Sequence, residues 1–302
     1  METVPFRAGF VALVGKPNVG KSTLMNAIVG QKVSIVSNKP QTTRRRVIGI
    51  SSTDAYQIAF VDTPGIHDAH TALGKAMNEQ ARRALSEVDV ILFVGDGSHF
   101  PGEQDRQIAD LIRLFRKDHP IPVVLCLNKM DQLKAENVVR NVEGFQQLFG
   151  TEESMLTTAT RKQNLTELIA MLLPHLPRTA PMYGPDELTD QTSRWMAAEF
   201  VREKILLATR QEVPHATAVI VEDWDEASPE RTTIRATILV EKASQRAILI
   251  GKQGQFLKKI GIESRQEIEA LLNRSVHLDL HVKVAEDWRM SPRLLHELEY
   301  DR

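Results

Sequence analysis

The chain has 302 residues, 42% of them hydrophobic and 25% charged, with a formal net charge of −1. Such a composition describes one large or two ordinary globular domains with a sizeable core. Near-zero charge excludes any global electrostatic case for nucleic acid, so RNA or membrane contact must come from a local patch.

Residues 10–14 form a short apolar run that predicts a buried strand. Gly15-Lys16-Pro17-Asn18-Val19-Gly20-Lys21-Ser22 follows and fits G-x-x-x-x-G-K-[ST], the phosphate-binding P-loop. Leu24, Ile28 and Val29 then recur at helical spacing, with Gly30 as a stop. In that order the loop's backbone N–H groups cradle phosphate oxygens at a helix N-terminus. Lys21 would reach the β- and γ-phosphates and the Ser22 hydroxyl would ligate Mg²⁺. Next comes Thr42-Thr43-Arg44. A threonine here, Thr43 rather than Thr42, would complete the Mg²⁺ shell only while γ-phosphate is present, which makes an order–disorder switch. Arg44, Arg45 and Arg46 read more simply as a solvated face than as a catalytic arginine.

Strand-like runs at residues 47–50 and 56–61 lead to Asp62-Thr63-Pro64-Gly65. Asp62 would hold Mg²⁺ through a water and the Gly65 N–H would bond the γ-phosphate. Lys21, Thr43 and Gly65 are thus the candidates for acting on the γ-phosphate itself. Ile66 stands where a water-orienting glutamine is found in Ras-type enzymes, so hydrolysis should be slow or use another device, such as K⁺ held by Asn18. Further apolar runs at residues 90–94 and 123–127, and a weaker one at 154–158, alternate with helical patterns near 73–85, 104–115, 138–149 and 165–173. This alternation predicts an α/β domain, a mostly parallel sheet with helices on both faces. The single cysteine, Cys126, lies in one of these runs, which suits a buried structural thiol and excludes an internal disulfide. Asn128-Lys129-Met130-Asp131 follows that run. The Asp131 carboxylate can accept both the N1–H and the 2-amino proton of guanine, a pair that adenine lacks, so GTP or GDP is expected rather than ATP. Lys129 can lie along the base and Asn128 can brace neighbouring loops. The Thr158-Ala159 turn stands where GTPases with motifs similar to these carry Ser-Ala, and that resemblance implies a backbone N–H to the guanine oxygen.

Pro174, Pro177, Pro181 and Pro185 cannot continue a helix or central strand and mark an inter-domain linker. Beyond it the pattern changes to an amphipathic helix at 193–208, two alternating strands at 216–224 and 232–240, a short helix, Gly251-Lys252-Gln253-Gly254, a second helix, a strictly alternating strand at 276–284 and a short terminal helix. This predicts a smaller α+β domain whose element order resembles that of a type II KH domain, in which the Gly-x-x-Gly loop clamps about four single-stranded nucleotides. Residues 180–302 carry 17 basic and 21 acidic residues, yet residues 242–265 carry six basic residues against Glu263 alone. Arg246, Lys252, Lys258 and Lys259, with Gly251, Gln253 and Gly254, are the candidate RNA-binding residues.

The nucleotide motifs resemble those of the translation-factor-related GTPases. With Gln41-Thr42-Thr43-Arg44 and Ile248-Leu249-Ile250 before Gly251, the whole arrangement resembles the Era family of bacterial ribosome-assembly GTPases over about residues 8–290. The resemblance implies a G domain at 1–176, a linker at 177–190 and a KH domain at 191–302. It implies GTP hydrolysis with Mg²⁺, binding to the 3′ end of small-subunit (16S) ribosomal RNA, and work on the ribosomal subunit during assembly. A monomer is expected, with peripheral membrane association a further option. Residues 1–9 lack the apolar region of a signal peptide and no apolar run approaches a membrane span, so a cytoplasmic protein is expected. A GTP-gated adaptor for a protein or membrane partner is the alternative, and it predicts no stimulation of hydrolysis by RNA.

Overall fold

The computed structural model describes residues 5–39, 41–64 and 71–300. The strands are β1 (Arg7–Val14), β2 (Val47–Ser52), β3 (Tyr56–Asp62), β4 (Val90–Asp96), β5 (Val123–Asn128), β6 (Ser154–Leu156), β7 (Ala218–Ser228), β8 (Arg231–Val240) and β9 (Ser275–Val284). The α-helices are α1 (Lys21–Val29), α2 (Ala72–Ser86), α3 (Glu103–Phe115), α4 (Val138–Phe149), α5 (Leu165–Leu172), α6 (Ser193–Ala208), α7 (Ala243–Ile250), α8 (Gln255–Leu272) and α9 (Pro292–Glu297). The chain forms two units.

The first unit holds a six-stranded sheet in the order β2-β3-β1-β4-β5-β6. All its pairings are parallel except β2 with β3. β4 and β5 are buried at every position, so both faces must be covered, and the sequence shows this as unbroken apolar runs. Ile91 and Phe93 point into a cluster with Ile108 and Ile112 of α3 and Phe145 and Phe149 of α4. Phe93 meets Phe149 with ring centroids 4.1 Å apart. α1 covers the other face, so close to β2 that a Cβ on Gly49 would lie 2.7 Å from Met25 Cγ.

The proline-rich stretch is a strap laid along the β2 edge of this unit rather than a free tether. Ile50 N–H donates to the Leu188 carbonyl at 2.9 Å. Gln57, 1% exposed, is satisfied at both ends of its amide. Its nitrogen donates to Ser52 Oγ and the Tyr183 carbonyl, each at 3.0 Å, and its oxygen accepts from the N–H groups of Met182 and Tyr183 at 2.7 and 2.9 Å. An exposed sheet edge invites unwanted pairing, and the strap covers it.

The second unit contains residues 191 onward, residues 71–76 and the segment Ile35–Thr42. Its sheet runs β7-β8-β9, with β7 antiparallel and β9 parallel to the central β8. Ile205 of α6, Ile234 and Ile238 of β8, and Ile260 and Ile268 of α8 fill its core. Trp288, fully buried, donates its indole N–H to the Ala216 carbonyl at 2.8 Å. The sequence predicts α6 as amphipathic, but Glu199, Arg202 and Glu203 on it are buried. Segment 35–42 covers that charged face. Arg202 forks onto Glu199 at 2.7 and 2.6 Å and donates to the Thr42 carbonyl, while Glu203 Oε1 accepts the Val36 N–H at 2.7 Å.

Candidate functional site

The phosphate loop joins β1 to α1 as its spacing predicts, and two glycines are required by their neighbours. A Cβ on Gly15 would lie 2.2 Å from the Val94 carbonyl oxygen. Gly20 sits at φ 99°, with Asn128 Nδ2 2.4 Å from the position of a Cβ. Asn18 is also left-handed, at φ 64°. Val19 is buried, and its carbonyl accepts from Asn128 Nδ2 at 2.8 Å. Pro17 sits on the turn between Lys16 and Asn18. Lys21 Nζ curls back to the Gly15 and Lys16 carbonyls at 2.8 and 3.2 Å. Burial pushes its ammonium below the usual lysine range, and the Asp62 charge opposes that shift. An added polyanion would restore the charged form. Lys16 turns away to Asp105 Oδ2 at 2.9 Å. Asp105 is fully buried in the first turn of α3 and also accepts the Gly102 N–H at 2.9 Å.

Asp62 ends β3 and gathers three hydroxyls on its Oδ2: Ser22 at 2.5 Å, Thr43 at 3.3 Å and Ser34 at 3.4 Å. Ser22 and Thr43 are 3.3 Å apart. Asp62 Oδ1 is buried and has no hydrogen-bond partner among the described residues. Burial raises this carboxyl above the usual range, and the Lys21 charge and the three hydroxyls only partly offset that. A carboxylate with an idle buried oxygen beside two hydroxyls is a donor set that fits a hard divalent cation such as Mg²⁺. Thr42, by contrast, is tied to Ser37 Oγ and the Lys39 carbonyl, each at 2.7 Å. The Thr63 hydroxyl bonds the Leu13 carbonyl at 3.4 Å, and Pro64 follows it. Gly65 and Ile66 lie outside the described residues. Arg44, expected on a solvated face, is 2% exposed, because the chain turns inward there to bring Thr43 to Asp62. Arg46 does face solvent, paired with Glu87 at 2.9 Å.

Asp96 and Asn128 stand at the ends of β4 and β5. Asn128 accepts the Ala159 N–H on Oδ1 at 3.0 Å while it holds the P-loop. The Ala159 N–H expected to face guanine is therefore engaged by Asn128 here, and Thr158, also buried, directs its own N–H to Gln163. Lys129 donates to Asp96 Oδ2 at 2.8 Å. Burial works to raise the Asp96 carboxyl, but bonds from Lys129 and Ser98 outweigh it and hold the carboxyl below its usual range. Asp131, further out, has Arg161 at 3.7 Å. Sequence reasoning missed Ser34, Asp96 and Asp105. Only Asp105 left a local signal, an acid three residues after the N-cap Gly102.

In the second unit, Gly251 (φ 70°) and Gly254 (φ 75°) bracket the loop between α7 and α8. A Cβ on Gly251 would lie 2.6 Å from Phe256 Cβ, whereas nothing stands within 4 Å of one on Gly254. Gln253 is left-handed at φ 51°. A groove of about 410 Å³ opens from Gly254 between α8 and β9, lined by Leu257, Lys258, Ile262, Arg265, His277 and Leu280. Arg246, Lys252 and Lys258 carry no ion pair among the described residues, and Lys259 has Glu263 at 3.8 Å. The groove thus has an apolar floor and a cationic rim beside a loop where a phosphate can approach the backbone.

Two family models match the chain. Residues 10–129 match the family model described as 50S ribosome-binding GTPase, and residues 212–289 match the KH domain. GTPase Era of Lactobacillus helveticus is 44% identical over 302 residues, covering 100% of this chain and 99% of its own length. The Geobacter metallireducens protein of that name is also 44% identical, covering 99% of this chain and 100% of itself. A crystal structure of Era with MgGDPNP and nucleotides 1506–1542 of 16S ribosomal RNA superposes with a TM-score of 0.93 at 39% identity, covering 98% of this chain and 100% of that one. A variant of Aquifex aeolicus Era bound to GDP·AlF4⁻ superposes at 0.91 with the same identity and coverage. With a phosphate loop, an Asp62 centre and a Gly-x-x-Gly domain in one chain, and relatives at this identity along its whole length, the chain belongs to the Era family of GTPases.

Proposed function

We propose that this GTPase is a nucleotide-gated RNA-binding switch that clamps the single-stranded 3′ end of 16S ribosomal RNA during assembly of the small ribosomal subunit. The observation that carries the reading is the convergence of Ser22 and Thr43 on Asp62, whose second oxygen is buried and idle. Bound Mg²⁺ would supply charge that offsets the triphosphate. Ser22 and Thr43 would hold it directly and Asp62 through a water. Lys21 neutralises developing charge on the leaving phosphates, and the loop from Gly15 to Gly20 fixes their position with backbone N–H groups. Asp131 accepts the two guanine donors while Asp96 holds the Lys129 stem along the base. Thr43 carries the nucleotide state into segment 35–42, which follows α6 in the RNA-binding unit. The KH groove takes the RNA, its loop glycines admitting phosphates and its apolar floor the bases.

In the absence of a glutamine at Ile66, Asn18 is proposed to hold K⁺ beside the phosphates. Equal hydrolysis rates in K⁺ and Na⁺ would remove that role. The protein is read as a cytoplasmic monomer. No helix among the described residues is long and apolar enough to cross a membrane, and any membrane contact is read as peripheral. The test of the whole reading is GTP turnover with and without a 16S 3′-end RNA. Stimulation by RNA, with Asp131→Asn shifting preference to xanthosine triphosphate, is expected. Unstimulated turnover would favour the adaptor instead, and an unchanged base preference would dismiss Asp131.

A further inference from the structure

The connection from β4 to α3, residues 97–102, carries an acid at each end that reaches across to a nucleotide motif. Asp96, the last residue of β4, holds Lys129 Nζ at 2.8 Å. Asp105, in the first turn of α3, holds Lys16 Nζ of the phosphate loop at 2.9 Å. The connection between the two acids is stiff. The Gly97 N–H donates to the Asn128 carbonyl at 2.8 Å, and the Gly97 carbonyl accepts from Asn141 Nδ2 of α4 at 3.0 Å. The Phe100 ring lies on Gly144 of α4, where a Cβ would stand 2.4 Å from Phe100 Cε2.

Helix capping alone does not account for Asp105, because an acid can cap a helix from the surface. Its side chain is fully buried. Its Oδ2 accepts both the Gly102 N–H and Lys16 Nζ, each at 2.9 Å, and its Oδ1 is buried with no hydrogen-bond partner among the described residues. A buried carboxylate so sparsely bonded is tolerated only with its counter-charge close by, so Lys16 is held in one place. Lys16 matters in turn to Lys21, because the Gly15 and Lys16 carbonyls are the acceptors that Lys21 Nζ meets at 2.8 and 3.2 Å. Gly15 is wedged against the Val94 carbonyl of β4. Both residues that seat Lys21 are therefore fixed from the side of β4 and α3, one by close contact and the other by an ion pair. We infer that Asp105 is a positioning residue for GTP hydrolysis, acting through Lys16 to fix the part of the phosphate loop on which the Lys21 ammonium rests. This role rests on the reading of Lys21 at the β- and γ-phosphates and adds a dependence on a carboxylate buried in α3, which that reading does not require.

The experiment uses the full chain with Mg²⁺ and measures single-turnover hydrolysis at saturating GTP, with the thermal denaturation midpoint alongside. In Asp105→Asn the amide oxygen can still accept from both Gly102 and Lys16, so hydrolysis should stay within about twofold of the unsubstituted rate. The double variant Lys16→Met, Asp105→Asn keeps the helix cap, leaves no unpaired charge buried and removes the tie. Its rate should fall about tenfold, a scale that slight misplacement of a reacting group readily produces. Asp105→Ala should fall as far. A normal rate in the double variant would overturn the inference whatever its midpoint, because Asp105 would then serve only to cap α3. A full loss of rate in Asp105→Asn would overturn it too, because the tie survives there. Lys21→Met separates this role from the reading beneath it. If that variant hydrolyses GTP normally, the phosphate-loop reading fails and the inference with it, whereas a normal rate confined to the double variant removes the tie alone.

Discussion

Asp62 shows how a single residue's role depends on partners that are distant in sequence. Its position after β3 is legible, because an acid at the end of an apolar run precedes a Pro-Gly turn. Ser34 is not, since nothing near it in sequence announces that its hydroxyl reaches Asp62. The same holds for Asp96, which the sequence shows only as the end of a buried strand. Its carboxylate fixes Lys129, so Asp96→Ala should weaken GTP binding about tenfold, the size of a lost charge-assisted bond, while changing kcat by less than about twofold. Nucleotide titration followed by single-turnover hydrolysis separates the two effects, and a fall confined to kcat would refute the positioning role. Cys126 is simpler. Burial pushes its thiol up to about 12, with the Thr157 hydroxyl opposing only weakly. At pH 8 the folded protein should therefore resist iodoacetamide, since only the thiolate reacts and its fraction there is negligible. The unfolded chain should alkylate readily, and mass spectrometry distinguishes the outcomes.

Elements with strong periodicity were legible and those defined by what they pack against were not. The P-loop, Asp62 turn and Asn128 motif each follow a strand, where ligands of such sheets collect, and β9 shows its alternation openly. The proline-rich stretch reads as a linker because prolines break regular structure. Its attachment to β2 and β3 depends on Gln57, which sits inside an ordinary strand pattern. Gln57→Ala should cost about 1–3 kcal/mol, the desolvation penalty of partners left unsatisfied, as read from the denaturation midpoint. A change within error would mean that the strap contributes nothing. Helix α6 misleads in the opposite direction, because its charges suggest a solvated face although Arg202 is fully buried. Arg202→Leu alone should cost about 3–5 kcal/mol by leaving Glu199 unpaired. Adding Glu199→Leu should recover part of that loss, and a further loss of stability in the double variant would show that the pair is not coupled.

At the scale of the whole molecule, two features matter. Charge is nearly balanced, so the proposed RNA binding would rest on one face of the second unit rather than on a global field. The chain also leaves the first unit after Ser34 and returns at Thr43, both of which bond Asp62, and the residues between belong to the second unit. A reorganisation of Thr43 is therefore expected to act on the adjoining segment, which Arg202 and Glu203 hold. Binding of γ-phosphate and of RNA should accordingly be coupled, and linkage makes that coupling reciprocal. The most direct measurement is the affinity of a 16S 3′-end RNA with a GTP analogue and with GDP, using Gly251→Asp as control. The account predicts tight binding with the analogue, weakening by at least fivefold with GDP, the lower end of typical coupling, and loss in the variant. Equal affinity with the two nucleotides would contradict it, leaving two independent activities on one chain.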